Sequence, residues 1–201
     1  MSVHNLEFLF KPKSIALIGA SEKALSVGAV LAHNLFSAGF EGPVMPVNPK
    51  HRKIKGVRTY PDVANLPETP DLAVIATPPR SVLGIIAELG ERGTKAALVI
   101  TTGFAEIAEG QGQALQQSLI EAAKRHQLRI IGPNCLGILV PGIGLDASFS
   151  HISPKAGHLA FVAQSGAIVT SVVDWAASRG SGTLSGTRNH RNPEGCRVRY
   201  H

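Results

Sequence analysis

The feature that most constrains the fold is the stretch of residues 13–30, KSIALIGASEKALSVGAV. Residues 15–18 form a short continuous apolar run, which is typical of a strand buried on both faces. The small residues 19–21 end that run, and apolar residues at helical spacing begin after Ser26, so we predict a helix there. Strand, small-residue turn and helix open a doubly wound α/β domain. Free backbone N–H groups and the positive helix end meet at such a turn and favour an anion.

The turn differs from the usual dinucleotide-binding loop. That loop reads G-x-G-x-x-G and is followed about twenty residues later by an acid that holds the ribose. Here the glycine after Gly19 is Gly28, and the second predicted strand ends in Asn48, Pro49 and the cation Lys50. The sequence therefore favours a phosphorylated nucleotide over ordinary NAD.

Strands and helices alternate along residues 1–140 at short intervals, which indicates a parallel sheet with right-handed crossovers. Residues 51–70 are polar, with one predicted helical turn near residues 62–66. Ligands of such sheets bind outside the carboxyl ends of the strands. The predicted strands after the first are 43–48, 71–76, 95–100 and 128–131, and the predicted helices are 80–91 and 111–127.

A second unit begins after an irregular crossing. Residues 139–154 read as irregular, and we place the crossing between domains at 141–157. The opening pattern then recurs as a strand over 158–163, a turn at 164–166 and a helix over 167–178, which would start a second α/β domain over 158–182. Residues 183–201 lack an apolar period, and we predict a tail unrelated to the fold.

Composition excludes several classes of protein. Two cysteines cannot build a disulfide framework, and the sequence has no signal-peptide pattern or membrane-length apolar stretch, so a cytoplasmic protein is expected. Of the net charge of +6, residues 181–201 hold four arginines against one glutamate, and the other 180 residues carry only the remaining +3. We therefore expect neither a nucleic acid nor a membrane as partner.

The ordered motifs KSIALIGAS, GPVMPVNPK, DLAVIATPP, TTGF, IIGPNCLG and LAFVAQSGA resemble the NDP-forming acyl-CoA synthetases, relatives of the succinyl-CoA synthetase α subunit. The stretch GLDASFS…LAFVAQSGA…DWA further resembles the branch that is fused to a lysine acetyltransferase. The resemblance covers about residues 5–182. It implies a Rossmann-like CoA-binding domain followed by the start of a flavodoxin-like ligase domain.

The resemblance also implies which residues bind. Turn residues would take the CoA phosphates, Lys50 would pair with another phosphate, and the later loops would line the adenine or pantetheine path. A second helix N-terminus would face the phosphoryl group. The implied CoA-binding residues are Gly19, Ala20, Ser21, Ser26, Asn48, Lys50, Thr77, Pro78, Pro79, Thr101, Thr102, Gly103 and Phe104, and the implied phosphate-facing residues are Gln164, Ser165, Gly166 and Ala167.

The chain also departs from the family's pattern. None of its eight histidines lies in the motif of the phosphorylated histidine, and the ATP-grasp domain is absent, so the chain looks truncated. We assign no catalytic residue and no metal site. ATP or ADP with Mg²⁺ is expected only in the complete enzyme, with a β-type ATP-grasp subunit or fused domain as partner.

Two other functions stay open at this point. One is a regulatory CoA or acyl-CoA sensor of a lysine acetyltransferase, and the other is an NADP-binding oxidoreductase domain with Lys50 on the 2′-phosphate. Cys135 is expected to be a small buried thiol, and His151 and His158 are expected to be solvated or hydrogen-bonded.

Overall fold

The computed structural model describes residues 4–104, 111–179 and 183–185. Five strands form a parallel sheet, and their order across the sheet is 44–47, 15–18, 72–75, 96–99 and 129–131. Three two-stranded sheets accompany it. The strands are β1 Ile15–Ile18, β2 Val44–Val47, β3 Lys53–Ile54, β4 Val57–Arg58, β5 Leu72–Ile75, β6 Ala96–Val99, β7 Arg129–Ile131, β8 Gly137–Val140, β9 Leu145–Ser148, β10 Ala156–Ala160 and β11 Thr183–Ser185.

Four helices cover the two faces of the main sheet among the described residues, and the last helix packs in a separate cluster. The helices are α1 Glu7–Phe10, α2 Val27–Ser37, α3 Pro79–Glu91, α4 Gln111–Arg125 and α5 Gly166–Ser178, with a 3₁₀ turn at Pro141–Ile143. Within the described ranges, no helix has the length and apolar character needed to span a bilayer.

Alternate residues of the strands pack on opposite helices. Ile15 and Leu17 of β1 lie in a buried cluster with Leu31 of α2. Ala16 and Ile18 lie in a second cluster with residues of α3 and α4. Because successive side chains of a strand point to opposite faces, β1 must be apolar at every position. The predicted doubly wound, Rossmann-like parallel sheet is confirmed.

The outer edge of β2 carries a rudimentary sixth strand. Tyr60 forms a parallel bridge with Val47, its N–H donates to the Pro46 carbonyl at 2.9 Å, and the Asn48 N–H donates to the Tyr60 carbonyl at 2.9 Å. Counting this bridge, the strands follow the 3-2-1-4-5-6 order of dinucleotide-binding folds. The order reverses between β1 and β5, which makes the gap between their carboxyl ends the topological switch point.

The segment between β2 and β5 differs from the prediction. Instead of one helical turn near residues 62–66, it contains the β3–β4 hairpin followed by a turn in which Asp62 Oδ1 accepts hydrogen bonds from the Asn65 backbone N–H at 2.9 Å and side-chain amide at 2.7 Å. These bonds, the side-chain amide first, lower the pKa of Asp62. Asp62 accepts from the backbone three residues on, as a helix N-cap does, but residues 62–66 form only a turn and no helix follows them directly.

The predicted irregular crossing at 139–154 is wrong for its first half. The β8–β9 pair forms an antiparallel hairpin across the boundary that we predicted at residue 140. The side-chain amide of Asn34 on α2 donates to the carbonyls of Ser148 at 2.8 Å and Ser150 at 2.9 Å, which fixes the hairpin on that helix. The proline and glycines of the 3₁₀ turn separate two strands of four residues each, so neither strand shows a long enough alternation of apolar and polar residues to be predicted.

The second unit follows this hairpin. Val169 and Val173 of α5 pack on Leu136, just before β8, and on Leu139 within β8. The strand β11 pairs in parallel with β10, so Thr183–Ser185 belong to the fold and the predicted tail is wrong for these three residues. The rest of the predicted tail, residues 186–201, lies outside the described residues.

Asp146 is a buried carboxylate in the hairpin, 3% exposed. Its Oδ1 accepts from the Ser148 hydroxyl at 2.7 Å, and its Oδ2 accepts from the Ser153 hydroxyl at 3.2 Å. Burial raises the pKa of Asp146, and the opposing hydrogen bonds and the charge of His33 do not cancel this effect.

We predict that Asp146→Asn changes the pH dependence of folding. Because the folded-state pKa is raised, this carboxyl favours folding below its ordinary pKa of about 3.9 and loses that contribution as the pH rises through the folded-state pKa. The asparagine variant lacks this loss, so its free energy of unfolding relative to wild type should increase from about pH 4 to about pH 7. Urea unfolding across that range measures the difference, and parallel pH profiles would contradict the prediction.

Candidate functional site at the carboxyl edge of the sheet

The loop between β1 and α2 lies at the switch point and is held by close backbone contacts. Gly19 has φ +92°, and a Cβ built there would lie 2.5 Å from the Ala76 carbonyl oxygen at the end of β5. Gly28, in the first turn of α2, is equally restricted, because a Cβ built there would lie 2.1 Å from the Gly19 carbonyl oxygen. Only glycine fits at both positions, so the first turn of α2 sits directly against the loop.

The serines of this loop have different roles. Ser26 is the N-cap of α2: its Oγ accepts from the Ala29 N–H at 3.3 Å and donates to the Lys23 carbonyl at 2.7 Å. Ser21 Oγ accepts from the Lys23 N–H at 3.0 Å. Among the described residues, no acceptor takes the Ser21 hydroxyl hydrogen. Of the two serines, Ser21 therefore has the hydroxyl that is available to a ligand, whereas Ser26 orients the helix.

The end of β2 is joined to the same loop. The Asn48 side-chain amide donates to the Ala20 carbonyl at 2.8 Å, and its Oδ1 accepts from the Lys50 N–H at 2.8 Å. Ala20 is fully buried, and its carbonyl is bound by Asn48, so Ala20 shapes the loop and does not itself face the crevice. Lys50 is exposed. Asn48 thus positions the loop and the Lys50 backbone.

The end of β5 contributes an unpaired hydroxyl. Thr77 Oγ1 is buried without a hydrogen-bond partner, although Thr77 Cγ2 lies near the position where a Cβ on Gly19 would be, at 3.1 Å. Pro78 is the N-cap of α3, and the helix begins at Pro79. Thr59 and Thr94 also have a buried hydroxyl without a partner, but Thr77 is the one of the three at the end of β5, where a ligand in the crevice could complete its bonding.

The loop after β6 has both buried and exposed residues. Thr101 is buried, and its hydroxyl donates to the Thr77 carbonyl at 2.8 Å, which ties the β5 and β6 loops together. Thr102 is exposed, and Gly103 has φ +87°. Phe104 is only 6% exposed and packs in the core with residues of α3 and α4. Its ring therefore does not line the predicted CoA path.

The β7 loop completes this edge. The Asn134 N–H donates to the Thr101 carbonyl at 2.9 Å. Cys135 is 1% exposed, and its thiol contacts the Val99 carbonyl at 3.3 Å, as expected for a small buried thiol. His151 and His158 are exposed. Within residues 4–104, 111–179 and 183–185, no three His, Cys, Asp or Glu side chains come together as a metal site.

The predicted phosphate-facing residues lie in the second unit. Ser165 is the N-cap of α5, and the helix begins at the buried Gly166. The Ser165 side chain makes no capping hydrogen bond. Gln164 and Ala167 are exposed. The structure thus gathers the predicted CoA-binding residues at the main sheet, and leaves Gln164–Ala167 at the edge of the smaller β10–β11 sheet.

Comparison with known proteins identifies the family. The family described as CoA binding domain matches residues 13–141, which span the whole main sheet. This chain belongs to that family. The matched region is homologous to the CoA-binding portion of ADP-forming acetate–CoA ligases.

Relatives of known name cover most of the chain. An ADP-forming acetate–CoA ligase I of Archaeoglobus fulgidus is 41% identical over 88% of this chain and 25% of its own length. The α subunit of an ADP-forming acetate–CoA ligase I of Pyrococcus furiosus is 37% identical over 85% of this chain and 38% of its own. A dinucleotide-forming acetyl-CoA synthetase 1 of Ca. Korarchaeum cryptofilum, solved with phosphate and ADP, superposes with a TM-score of 0.84 at 36% identity, over 91% of this chain and 39% of that one. This chain thus spans well under half the length of each of these relatives.

Gly28 was not among the predicted site residues, and a matched pair of glycine variants tests its contact with Gly19. We predict that Gly28→Ala destabilises the chain by about 1–3 kcal/mol, because the new methyl group overlaps the Gly19 carbonyl. Gly84 lies inside α3 with nothing within 4 Å of a built Cβ. Gly84→Ala should therefore stabilise by about 0.5–1 kcal/mol through helix propensity. Thermal or urea unfolding measures both, and equal effects would contradict the packing argument.

Proposed function

We propose that this chain binds CoA in the crevice outside the carboxyl ends of β1 and β5. The observation that carries the proposal is the loop between Gly19 and Gly28, where the first turn of α2 is pressed against the switch point of the sheet. The first N–H groups of a helix have no intrahelical partner, and the helix dipole places positive potential there. A diphosphate bound at this loop would meet those N–H groups together with the Ser21 hydroxyl.

The remaining loops along the same edge of the sheet could contact the other parts of the CoA molecule. The adenosine end would lie toward the end of β2, where Lys50 follows Asn48. The pantetheine arm would run past the loops at Thr77–Pro79 and Thr101–Gly103. Rotation about χ1 of Thr77 to the next staggered rotamer would place Oγ1 where Cγ2 now lies, beside Gly19, and would give the buried hydroxyl a ligand partner.

We further propose that the chain is the CoA-binding part of an ADP-forming acyl-CoA ligase, with acetate as the acid. The names of the Archaeoglobus and Pyrococcus relatives support the acid, and the α-subunit name supports a second subunit. The nucleotide, Mg²⁺ and the phosphorylated histidine would then belong to parts of the enzyme beyond the matched CoA-binding family. Here the chain's own residues bind and orient CoA, and Gln164–Ala167 are proposed to face the phosphoryl group.

Two alternatives make different predictions. A CoA-sensing domain of a lysine acetyltransferase would bind CoA or acyl-CoA in the same crevice, and the match to the acetyltransferase-fused branch stays a prediction. An NADP-binding domain is favoured by Lys50, which could meet a 2′-phosphate. A cytoplasmic location also stays a prediction.

Calorimetric titration with CoA, NADP and NAD tests the proposed ligand. We expect CoA to bind most tightly, and CoA at about 100 times its Kd should stabilise the fold by about 2.7 kcal/mol through binding linkage. Tighter binding of NADP than of CoA would overturn the proposal.

A matched pair of threonine variants tests the crevice. Thr77→Val should weaken CoA binding about two- to tenfold, because valine keeps the shape and removes one hydrogen-bonding group. Thr94 provides the control, since its Oγ1 is also buried and unpartnered but lies before β6, at the opposite end of the sheet. Thr94→Val should leave the CoA affinity unchanged, and equal losses in both variants would contradict the assignment.

A further inference from the structure

The segment between β2 and Tyr60 concentrates positive charge at the edge of the crevice. Residues 50–60 contain five lysines and arginines and no acid, out of 20 such cations in the chain. The cationic side chains in this segment are all exposed. A comparison of the net charge of residues 181–201 with that of the other 180 residues does not reveal this cluster.

The β3–β4 hairpin aligns two of these charges. Lys53 and Arg58 are directly opposite each other in the antiparallel pair, so their side chains share one face. Like charges opposite one another destabilise a strand pair unless an anion lies between them. The Arg58 guanidinium also lies over the Tyr60 ring, 5.5 Å from its centroid, which restricts the side chain.

The hairpin is attached to the proposed phosphate loop. Its turn, Lys55 (φ 49°) and Gly56 (φ 82°), has the positive φ angles of a tight two-residue hairpin turn. The Lys55 N–H donates to the Glu22 carboxylate at 2.7 Å, and Glu22 belongs to the loop between β1 and α2. The hairpin that carries these cations is therefore joined to the loop that is proposed to bind the diphosphate.

The neighbouring acids leave the excess of positive charge in place. The Glu22 carboxylate is bound by the Lys55 backbone, and Lys23 follows it in the loop. Asp62 accepts both hydrogen bonds from Asn65 in the next turn. Neither acid forms an ion pair with Lys53 or Arg58 among the described residues.

In dinucleotide-binding folds, the residues after the second strand meet the adenosine ribose, and a cation nearby accommodates a phosphate on that ribose. CoA carries such a phosphomonoester on the 3′ oxygen, and NADP carries one on the 2′ oxygen. Resting on the proposed function, we infer that Lys53 and Arg58 bind the ribose phosphomonoester and so distinguish CoA from dephospho-CoA. Arginine suits this role because its planar fork matches phosphate oxygens.

Paired ligands and paired variants test this inference. Calorimetry compares CoA with dephospho-CoA, which lacks only the 3′-phosphate, and NADP with NAD, on wild type and on the Lys53→Gln/Arg58→Gln double variant. The control is Lys124→Gln/Arg125→Gln, which removes two exposed cations at the end of α4, ahead of β7 at the opposite end of the sheet. Circular dichroism checks that each variant folds.

We expect wild type to bind CoA about tenfold more tightly than dephospho-CoA, with the ratio falling as salt increases. The hairpin variant should bring the ratio near one while changing the dephospho-CoA affinity less than about twofold, and the control should keep the wild-type ratio. A second outcome is that wild type prefers NADP to NAD, loses this preference in the hairpin variant, and binds NADP more tightly than CoA. That outcome would support a phosphomonoester site at Lys53 and Arg58, but it would show that the bound phosphomonoester belongs to NADP and not to CoA.

Other outcomes separate the two proposals. Equal wild-type affinity for CoA and dephospho-CoA would overturn the hairpin assignment and leave the proposed function standing. An unchanged ratio in the hairpin variant, or an equal loss in the control, would also overturn the assignment. Absence of binding of either ligand to the wild type would overturn the proposed function itself.

Discussion

The contact between the carbonyl of Gly19 and the backbone at Gly28 determines how this molecule is organised. It brings the start of α2 as close to the end of β1 as two backbones allow, because any side chain at Gly28 would overlap the carbonyl. The same helix carries Asn34 in its later turns, whose amide holds the β8–β9 hairpin through two carbonyls. One helix therefore presents its N-terminus to the crevice and also connects the main sheet to the region that leads into the second unit.

Much of the main sheet could be predicted because buried parallel strands leave a simple signal. β1, β5 and β6 are buried at all four of their positions, so each appears as an uninterrupted apolar run between turn residues. The short hairpins could not be predicted in this way. β3 and β4 have two residues each, and the β8–β9 strands are joined through a proline and two glycines, so neither pair offers a long enough period.

The candidate site was predictable to the level of its loops but not to the level of its atoms. Parallel topology requires the strand ends to meet at one edge, and the motifs followed those ends. The sequence does not show which of these side chains stabilise the fold and are therefore not available to a ligand. The Ser26 hydroxyl caps α2, and the Phe104 ring packs in the core. Nor does it show that the Thr77 hydroxyl is left without a partner, since that depends on packing between two loops from different strands.

The single bridge between Tyr60 and Val47 bears on how the chain avoids joining to copies of itself. A sheet edge with unpaired N–H and C=O groups is a template for another strand, and short edge strands with lysines are a common protection. Here the bordering strand is one residue long and leads out of a hairpin crowded with positive charge. Such a border offers an approaching strand few free N–H and C=O groups and surrounds them with positive charge, which disfavours edge-to-edge pairing on that side of the sheet.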